Sequence, residues 1–150
     1  MATETSTFHD FLNALADGLA QHPTLASVQI ATAPLGQETA KAESIQFGAL
    51  DMEQSWGMLG NRRREEQYTV NGVVWVFRPG KNEPVIRDVR GRTRELLAAI
   101  EDFLRVDPTV GNVVKVCQLT NGRLEQGANS DGRWCQFDFD IVVNHSLSSS

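Results

Sequence analysis

The segment at residues 64–78, REEQYTVNGVVWVFR, constrains the possible fold of this chain more than any other. It is rich in β-branched and aromatic residues, which favour strands. Its first half alternates between apolar and polar residues, whereas its second half is apolar on both faces, as is typical of a strand that enters the middle of a sheet. Asn71-Gly72 also allows a two-residue hairpin turn between two short arms. We favour one long strand with a bulge or kink at Gly72.

A first helix is expected at residues 8–20. Apolar side chains recur there at spacings of three and four, which places them on one helical face. Thr7, followed by Asp10, indicates a capping box at the start of this helix. A brief strand is then expected at about 26–32 and a loop at 33–43, where polar residues, proline and glycine show no periodicity.

A second, longer helix is expected at residues 88–106, where a continuous apolar stripe lies opposite an arginine-rich side. Asp88 is its predicted N-cap. Asp107-Pro108 ends it, because proline cannot donate the next backbone hydrogen bond. Glu101 and Arg105 are expected to form an ion pair across one turn.

Three further strands complete the prediction. The first covers about 44–56 and alternates at Ile45, Phe47 and Ala49. The other two, at about 112–120 and 133–144, are joined by a polar excursion at 121–132. Along the last strand the residue types alternate, which predicts one packed face and one face that is solvated or covered by a partner. The packed face holds Cys135, Phe137, Phe139, Ile141 and Val143, and the other holds Gln136, Asp138 and Asp140.

The element order is therefore α-β-β-β-α-β-β, which predicts an α+β two-layer sandwich. One mixed or antiparallel sheet of four to five strands would carry both helices on one face. The length suits a single domain over residues 1–150. The polar ends, residues 1–6 and 145–150, are expected to be flexible.

Composition and charge exclude several classes of protein. A net charge of −5 argues against a general binder of duplex DNA, which needs a basic face. The longest apolar runs fall well short of the roughly 18 residues of a membrane span. The start, MATETSTFHD, lacks the basic and apolar regions of a signal peptide. We therefore expect a cytoplasmic product whose cysteines are reduced.

Motifs for catalysis, cofactors or metals are not found in the sequence. A phosphate loop at Gly80-Lys81 would need a glycine and a hydroxyl residue where Trp75 and Asn82 stand. The three histidines share no ligand spacing, so no metal site is expected. Cys117 and Cys135 leave three alternatives open. They are two buried thiols, a cross-strand disulfide if the last two strands turn near residue 126, or a nucleophile.

Charged and aromatic side chains on the expected solvent faces are the candidates for contacts with other proteins. The run Arg62-Arg63-Arg64 indicates a charged subunit contact or a solvated strand entrance, since two acids follow it. Trp56 and Trp134 are large aromatic residues on otherwise polar faces. Aromatic residues are enriched at protein interfaces, so we expect contacts there. Partial burial within the subunit is the alternative. The candidate interface residues are Lys41, Trp56, Arg62, Arg63, Arg64, Arg90, Arg92, Arg94, Arg123, Glu125, Trp134, Asp138 and Asp140.

Several segments in order resemble one family. The residues Leu104-Arg105-Val106-Asp107-Pro108-Thr109-Val110-Gly111 and Leu124-Glu125-Gln126-Gly127, with Gly132, lie within a stretch at 62–147. This stretch resembles the tail terminator proteins of long-tailed phages, the lambda-type tail-tube terminators and their tail-completion relatives. Val110 departs from the family, whose members often have leucine there.

The resemblance implies a structural protein without cofactor or catalytic site. Such proteins cap the completed tail tube, stop its polymerisation and provide the interface for head–tail joining, usually as a homo-hexameric ring. The implied partners are further copies of the chain, the tail tube protein and a head-side connector or stopper protein. DNA would pass through the ring without specific binding, and no membrane is involved. The protein would be assembled in the host cytoplasm and reside at the head–tail junction of the virion.

Within that role, the loop 33–43 and the hairpin 121–132 are expected to face the tube or the connector. The arginines at 90, 92 and 94 are expected at subunit contacts. Two alternatives remain open: another connector, neck or head-completion protein, and a cytoplasmic enzyme for a small ligand that uses Cys117 or Cys135.

Overall fold

The computed structural model describes residues 5–36, 42–58 and 63–148, and of these it gives every side chain except those at 55–58, 63 and 148. Its elements follow the predicted order, with one additional 3-10 turn after the first helix. They are α1 (Phe8–Ala20), the 3-10 helix Pro23–Leu25, β1 (Gln29–Ala31), β2 (Glu43–Met58), β3 (Arg63–Pro79), α2 (Glu83–Val106), β4 (Val116–Ala128) and β5 (Gly132–Ser148).

The described strands form one mixed sheet in the order β1-β2-β3-β5-β4. The pair β1–β2 is parallel, and all other neighbours are antiparallel. Both helices bury their apolar stripes in the same core as one face of the sheet. The predicted α+β two-layer sandwich is therefore confirmed. Its other sheet face, which we call the outer face, carries the alternate residues of β3, β4 and β5.

The central strand, β3, is one continuous strand, so the hairpin alternative at Asn71-Gly72 is wrong. Its pairing with β5 runs through Gly72 without a shift, and the bulge lies instead on β2, between Phe47 and Leu50. Gly72 serves a packing role, because a Cβ atom there would lie 2.4 Å from Cζ of Phe139. The aromatic ring occupies the space that any side chain would need.

The bulge changes which residues of β2 face the core. Ile45 and Phe47 are buried as predicted, but Leu50 takes the next core position and Ala49 is exposed. A bulge adds one residue to one strand, which reverses the alternation beyond it. The alternation predicted at Ile45, Phe47 and Ala49 therefore ends at the bulge, and Leu50 replaces Ala49 against the core.

The longer helix begins five residues earlier than predicted, at Glu83 instead of residue 88. Its N-cap is Asn82, whose side chain accepts a hydrogen bond from the backbone N–H of Val85. Pro84 lies in the first turn, where a missing N–H costs nothing. Asp88 is thus an internal helical residue and not the cap. Arg105 forms its ion pair with Asp102 rather than with the predicted Glu101.

The last two strands are longer than predicted and the connection between them is short. β4 nevertheless begins at Val116, four residues later than predicted, because residues 112–115 belong to the turn after α2. Residues 121–128 belong to β4, and β5 continues through Ser148. The turn at 129–131 is held by Asn129, whose Oδ1 accepts hydrogen bonds from the backbone N–H groups of Asp131 and Gly132. Residues 145–148, predicted as part of a flexible polar end, pair with the start of β3.

Two local predictions near the start of the chain are also corrected. Thr7 is the N-cap of α1, but its side chain makes no capping hydrogen bond; its hydroxyl bonds to Glu66 and Tyr68 of β3. The strand predicted at 26–32 is confined to β1, because residues 26–28 continue the turn that follows the 3-10 helix, where Val28 donates its backbone N–H to the carbonyl oxygen of Leu25. None of the described helices combines the length and apolar character needed to cross a membrane.

Candidate interaction surfaces

The side chains of Glu43, Arg78 and Arg92 form a half-buried ionic cluster where β2 begins and β3 ends. Arg92 of α2 grips the Glu43 carboxylate with two hydrogen bonds, from Nε to Oε2 at 2.8 Å and from Nη2 to Oε1 at 3.1 Å. Arg78 binds the same carboxylate. Arg92 also donates to the carbonyl oxygen of Thr24. The cluster joins the helix layer to the sheet.

The cluster shifts the acid–base equilibria of its members. The hydrogen bond from Arg92 is the main cause that lowers the pKa of Glu43, and burial opposes it only in part. The same hydrogen bond raises the pKa of Arg92. The Arg92 side chain is 21% exposed. Arg92, predicted at a subunit contact, therefore has its guanidinium engaged within the chain.

Arg90 and Arg94, in contrast, are exposed on α2. Neither forms an ion pair with any residue in the described part of the chain. They stand four residues apart, so they lie one above the other on the helix. Gly91 and Ala98 are exposed on the same side, which faces away from the buried stripe. We call Arg90, Gly91, Arg94 and Ala98 the arginine face.

The outer face of the sheet carries the acidic pair Asp138 and Asp140. Asp138 accepts a hydrogen bond from Gln136 at 3.2 Å, and Asp140 accepts one from Asn121 at 3.3 Å. Within the described ranges neither aspartate has a cationic partner. Both are half-buried. The alternation predicted for β5 is confirmed, with its apolar residues on the core side and these acids on the outer face.

Arg123 and Glu125 lie beside this pair on β4 and contact each other at 3.3 Å. Arg123 stands directly opposite Asp138 in the strand register. Its side chain is 78% exposed, so this surface ion pair contributes little to stability. These two candidates therefore belong to the same open surface as the aspartates.

Two tryptophans stack on the outer face. Trp75 of β3 and Trp134 of β5 have ring centroids 5.3 Å apart and planes 21° from parallel. Trp75 is 8% exposed, and Trp134 is half-buried. Gly127 makes room for this arrangement, since a Cβ atom there would lie 2.4 Å from Cζ2 of Trp134. Sequence reasoning selected Trp134 but missed Trp75, whose position beside it follows from the β3–β5 register.

The remaining predicted interface residues lie elsewhere. Arg64 is near the other end of β3, where its Nη1 donates to Oε1 of Gln54 at 3.1 Å. Trp56 belongs to β2, and Arg63 is the first residue of β3. Lys41 and Arg62 lie outside the described residues. In the loop predicted at 33–43, Leu35 donates its backbone N–H to Gln46 of β2.

Cys117 and Cys135 are free, buried thiols that do not face each other. Cys117 stands opposite Val143, and Cys135 opposite Gln126, because the strands turn at 129–131 rather than near 126. The disulfide alternative is therefore wrong. Burial raises the pKa of Cys117 to about 12 and also raises that of Cys135. A raised pKa disfavours the thiolate that nucleophilic catalysis requires.

A groove between the end of α2 and β4 is lined by Leu104, Pro108, Cys117 and Leu119, among others. The groove is open to solvent, and these four residues form the apolar part of its lining.

Among the residues that the structure describes, no group of histidine, cysteine, aspartate and glutamate side chains is arranged to hold a metal ion. The outer sheet face and the arginine face each carry two neighbouring like charges that have no ion-pair partner among the described residues.

The structure defines a two-layer α+β domain in which none of the described helices covers the outer sheet face, and a chain of a solved virion shares this fold. A chain of the solved structure "Virion of native gene transfer agent (GTA) particle" superposes with a TM-score of 0.52 at 13% sequence identity. The match covers 89% of this chain and 93% of that chain. No family model and no curated protein matches the sequence. At this identity the likeness shows a shared fold.

Proposed function

We propose that this chain is a structural protein of a phage-like virion that caps the tail tube. In this role it stops addition of tube protein and presents a surface to the head side, as a closed homo-oligomeric ring. The observation that carries the proposal is the shared fold with a chain of the gene transfer agent virion over nearly the whole length of both chains. The resemblance of residues 62–147 to phage tail terminators narrows the role to the end of the tube.

A ring of identical subunits requires two different surfaces that fit each other, with a rotation that closes the circle. A two-layer domain offers such unlike surfaces, because helices cover one face of its sheet and the other face is open. Six copies is the number that the terminator resemblance suggests. The tryptophan pair and the acids of the outer face are then contact residues and not a solvated surface.

The sheet edges support assembly as well. β4 is an edge strand, and β1 pairs with only the Ser44–Gln46 part of β2. The rest of β2 therefore has one unpaired side within the described structure. Exposed edges of this length invite pairing with other chains. In a ring or against a tube, such pairing would be directed to a defined neighbour.

A cap also needs two distinct ends, one for the tube and one for the head-side connector. The turn at 129–131 lies at one end of the long strands, and the distal part of β2 and β3 lies at the other. We propose these two ends as the tube and connector contacts, in either order. DNA would pass through the ring, since a subunit with net charge −5 favours passage over tight binding.

The test is particle assembly without this chain. We expect particles that lack it to have overlong tails that fail to join heads, and we expect the wild-type gene in trans to restore normal particles. Electron microscopy measures tail length and attachment together. Tails of normal length that remain unattached would instead indicate a connector or head-completion protein. Normal tails joined to heads would contradict the proposal.

A further inference from the structure

We propose that copies of this chain associate head to tail, with the outer sheet face of one copy packed on the arginine face of α2 of the next. The contact pairs Asp138 and Asp140 with Arg90 and Arg94 of the neighbouring copy. This inference rests on the proposed function only in that both involve self-association. It names the two surfaces, which the fold and the resemblance leave open.

Unsatisfied charge of opposite sign supports this pairing. Asp138 and Asp140 have only neutral amide partners. Arg90 and Arg94 have no ion-pair partner among the described residues. Each pair also brings two like charges together, which is mildly unfavourable in an isolated subunit. Contact between the two surfaces removes both repulsions.

The spacing of the two pairs matches. Residues four apart on a helix are separated by about 6 Å along its axis. Residues two apart on a strand are separated by about 7 Å. An α2 helix laid along β5 of the neighbour can therefore bring Arg90 and Arg94 to the two aspartates at once. Arginine suits such contacts because its planar guanidinium binds a carboxylate through two hydrogen bonds.

Apolar groups on the outer face provide the rest of the contact. Trp134 is half-buried on its Trp75 partner, and Val73 and Val142 are likewise half-buried near the aspartates. Val73 stands directly opposite Asp138 in the register. Arginine side chains cover such apolar surface with their aliphatic stems while the charged ends reach acids. Aromatic residues and arginine are also the types enriched at protein interfaces.

Gly91, an exposed glycine within α2, would let the neighbouring copy's sheet approach the helix closely. Glycine in a helix interior costs about 1 kcal/mol relative to alanine. Apart from its chain neighbours and the adjoining backbone of α2, no atom of the described chain lies within 4 Å of the position where its Cβ would be. Its missing side chain therefore serves no packing within the subunit. Together with the exposed Ala98, it leaves a shallow surface beside the arginines onto which a flat sheet face can pack.

The two surfaces lie on opposite layers of the sandwich, so the contact is heterologous. Each subunit offers one surface to each of two neighbours, and the chain of contacts closes into a ring when the rotation per step allows. A contact through the same patch on both partners would instead stop at a dimer. The proposed pairing is therefore the kind that a ring requires.

Two charge-reversed proteins test the pairing. The first carries Arg90→Glu and Arg94→Glu, which makes its helix surface acidic. The second carries Asp138→Lys and Asp140→Lys, which makes its sheet surface basic. We expect each variant alone to lose self-association at least about tenfold, because like charges then meet across the contact. Sedimentation and light scattering of the purified full-length chain at low salt measure this loss.

Mixing the two variants provides the rescue. An equimolar mixture places an acidic helix against a basic sheet at one contact and a basic helix against an acidic sheet at the next. We expect assembly to return, with the two variants alternating, and native mass spectrometry reports the ratio. A control with Lys81→Glu and Lys115→Glu makes the same change in net charge as the Arg90→Glu and Arg94→Glu variant, at exposed positions outside both surfaces. It should assemble like the wild type, and circular dichroism checks that every variant folds.

The proposed contact is overturned if both variants assemble like the control, or if their mixture fails to assemble while each remains folded. A wild-type chain that stays monomeric at low salt and high concentration also overturns it. None of these results decides the proposed function, which the tail phenotype tests separately. Conversely, normal tails without the chain would overturn the function and leave the mapped contact standing.

Discussion

Glu66 of β3 binds Thr7 at the start of α1, with Oε2 accepting hydrogen bonds from the backbone N–H at 3.2 Å and from the hydroxyl at 3.0 Å. The two residues are 59 positions apart in the sequence. Glu66 is 1% exposed, and its carboxylate lies at the positive end of the α1 dipole. This contact fixes the first helix to the sheet in the absence of a capping box.

We therefore expect Thr7→Val to lower the free energy of unfolding by about 1–2 kcal/mol, because it leaves a buried carboxylate short of one donor. Thr7→Ser keeps the hydroxyl and should cost less than about 0.5 kcal/mol. Urea unfolding at neutral pH compares the two variants. A Thr7→Val variant as stable as the wild type would contradict a stabilising role of the hydroxyl. Equal losses in the two variants would mean that the hydroxyl contributes no more than the methyl group.

The Glu43 cluster makes stability depend on pH. Its hydrogen bonds hold the pKa of Glu43 below the ordinary value of about 4.3 for glutamate. The folded state thus binds this proton less tightly than the unfolded state, so the stabilisation is complete above the ordinary value. It is lost as the pH falls from there through the folded-state pKa.

Glu43→Gln tests this linkage. Removing the charge takes away the carboxylate that Arg92 and Arg78 share, and leaves them only their more exposed partners Glu95 and Asp88. We expect a loss of about 2–3 kcal/mol at neutral pH. The difference from wild type should shrink as the pH falls below about 4. Glu101→Gln, on the exposed side of α2, should cost no more than about 0.5 kcal/mol. A Glu43→Gln deficit that stays constant down to pH 3 would refute the ionic origin.

Two glycines should respond in opposite directions to alanine. Gly72→Ala places a methyl group against the ring of Phe139, and we expect a loss of about 1–3 kcal/mol from overpacking. Gly91→Ala adds a methyl group in open space within α2, and we expect a gain of about 0.5–1 kcal/mol. Thermal unfolding of both variants at low protein concentration measures these changes. A Gly72→Ala variant as stable as the wild type would contradict the proposed packing of Gly72 against Phe139.

The two thiols should be inert in the native state. Cys117 and Cys135 are buried, and burial raises the pKa of both. We expect reaction with a disulfide reagent at pH 8 to be slower by at least about a hundredfold in buffer than in denaturant, where both thiols should react. Rapid native reaction of one thiol would revive the enzyme alternative.

The parts of the fold that depend on local periodicity could be predicted from the sequence. The apolar spacing between Phe8 and Leu19 gave the first helix with its observed bounds. The run Val73–Phe77, apolar on both sides, gave the central strand. Alternation along β5 gave the two faces on which Asp138 and Cys135 lie. These patterns report the side on which each residue is buried.

The features that depend on distant residues could not be predicted in this way. The bulge after Phe47 decides which residues of β2 face the core. The β3–β5 register brings Trp75 beside Trp134, and the turn at 129–131 sets a β4–β5 register in which the cysteines do not meet. Arg92 belongs by sequence to an exposed arginine row, but Glu43, 49 positions away, engages it. The start of α2 was placed too late because the apolar stripe becomes clear only after Asp88, whereas Asn82 caps the helix and Pro84 lies in its first turn.

The most direct measurement of the central claim is growth of tail tubes from purified tube protein with and without this chain. We expect the added chain to stop elongation, and we expect electron microscopy to show one ring at one end of each tube. Tubes that lengthen at the same rate, with the chain absent from their ends or spread along their length, would contradict it.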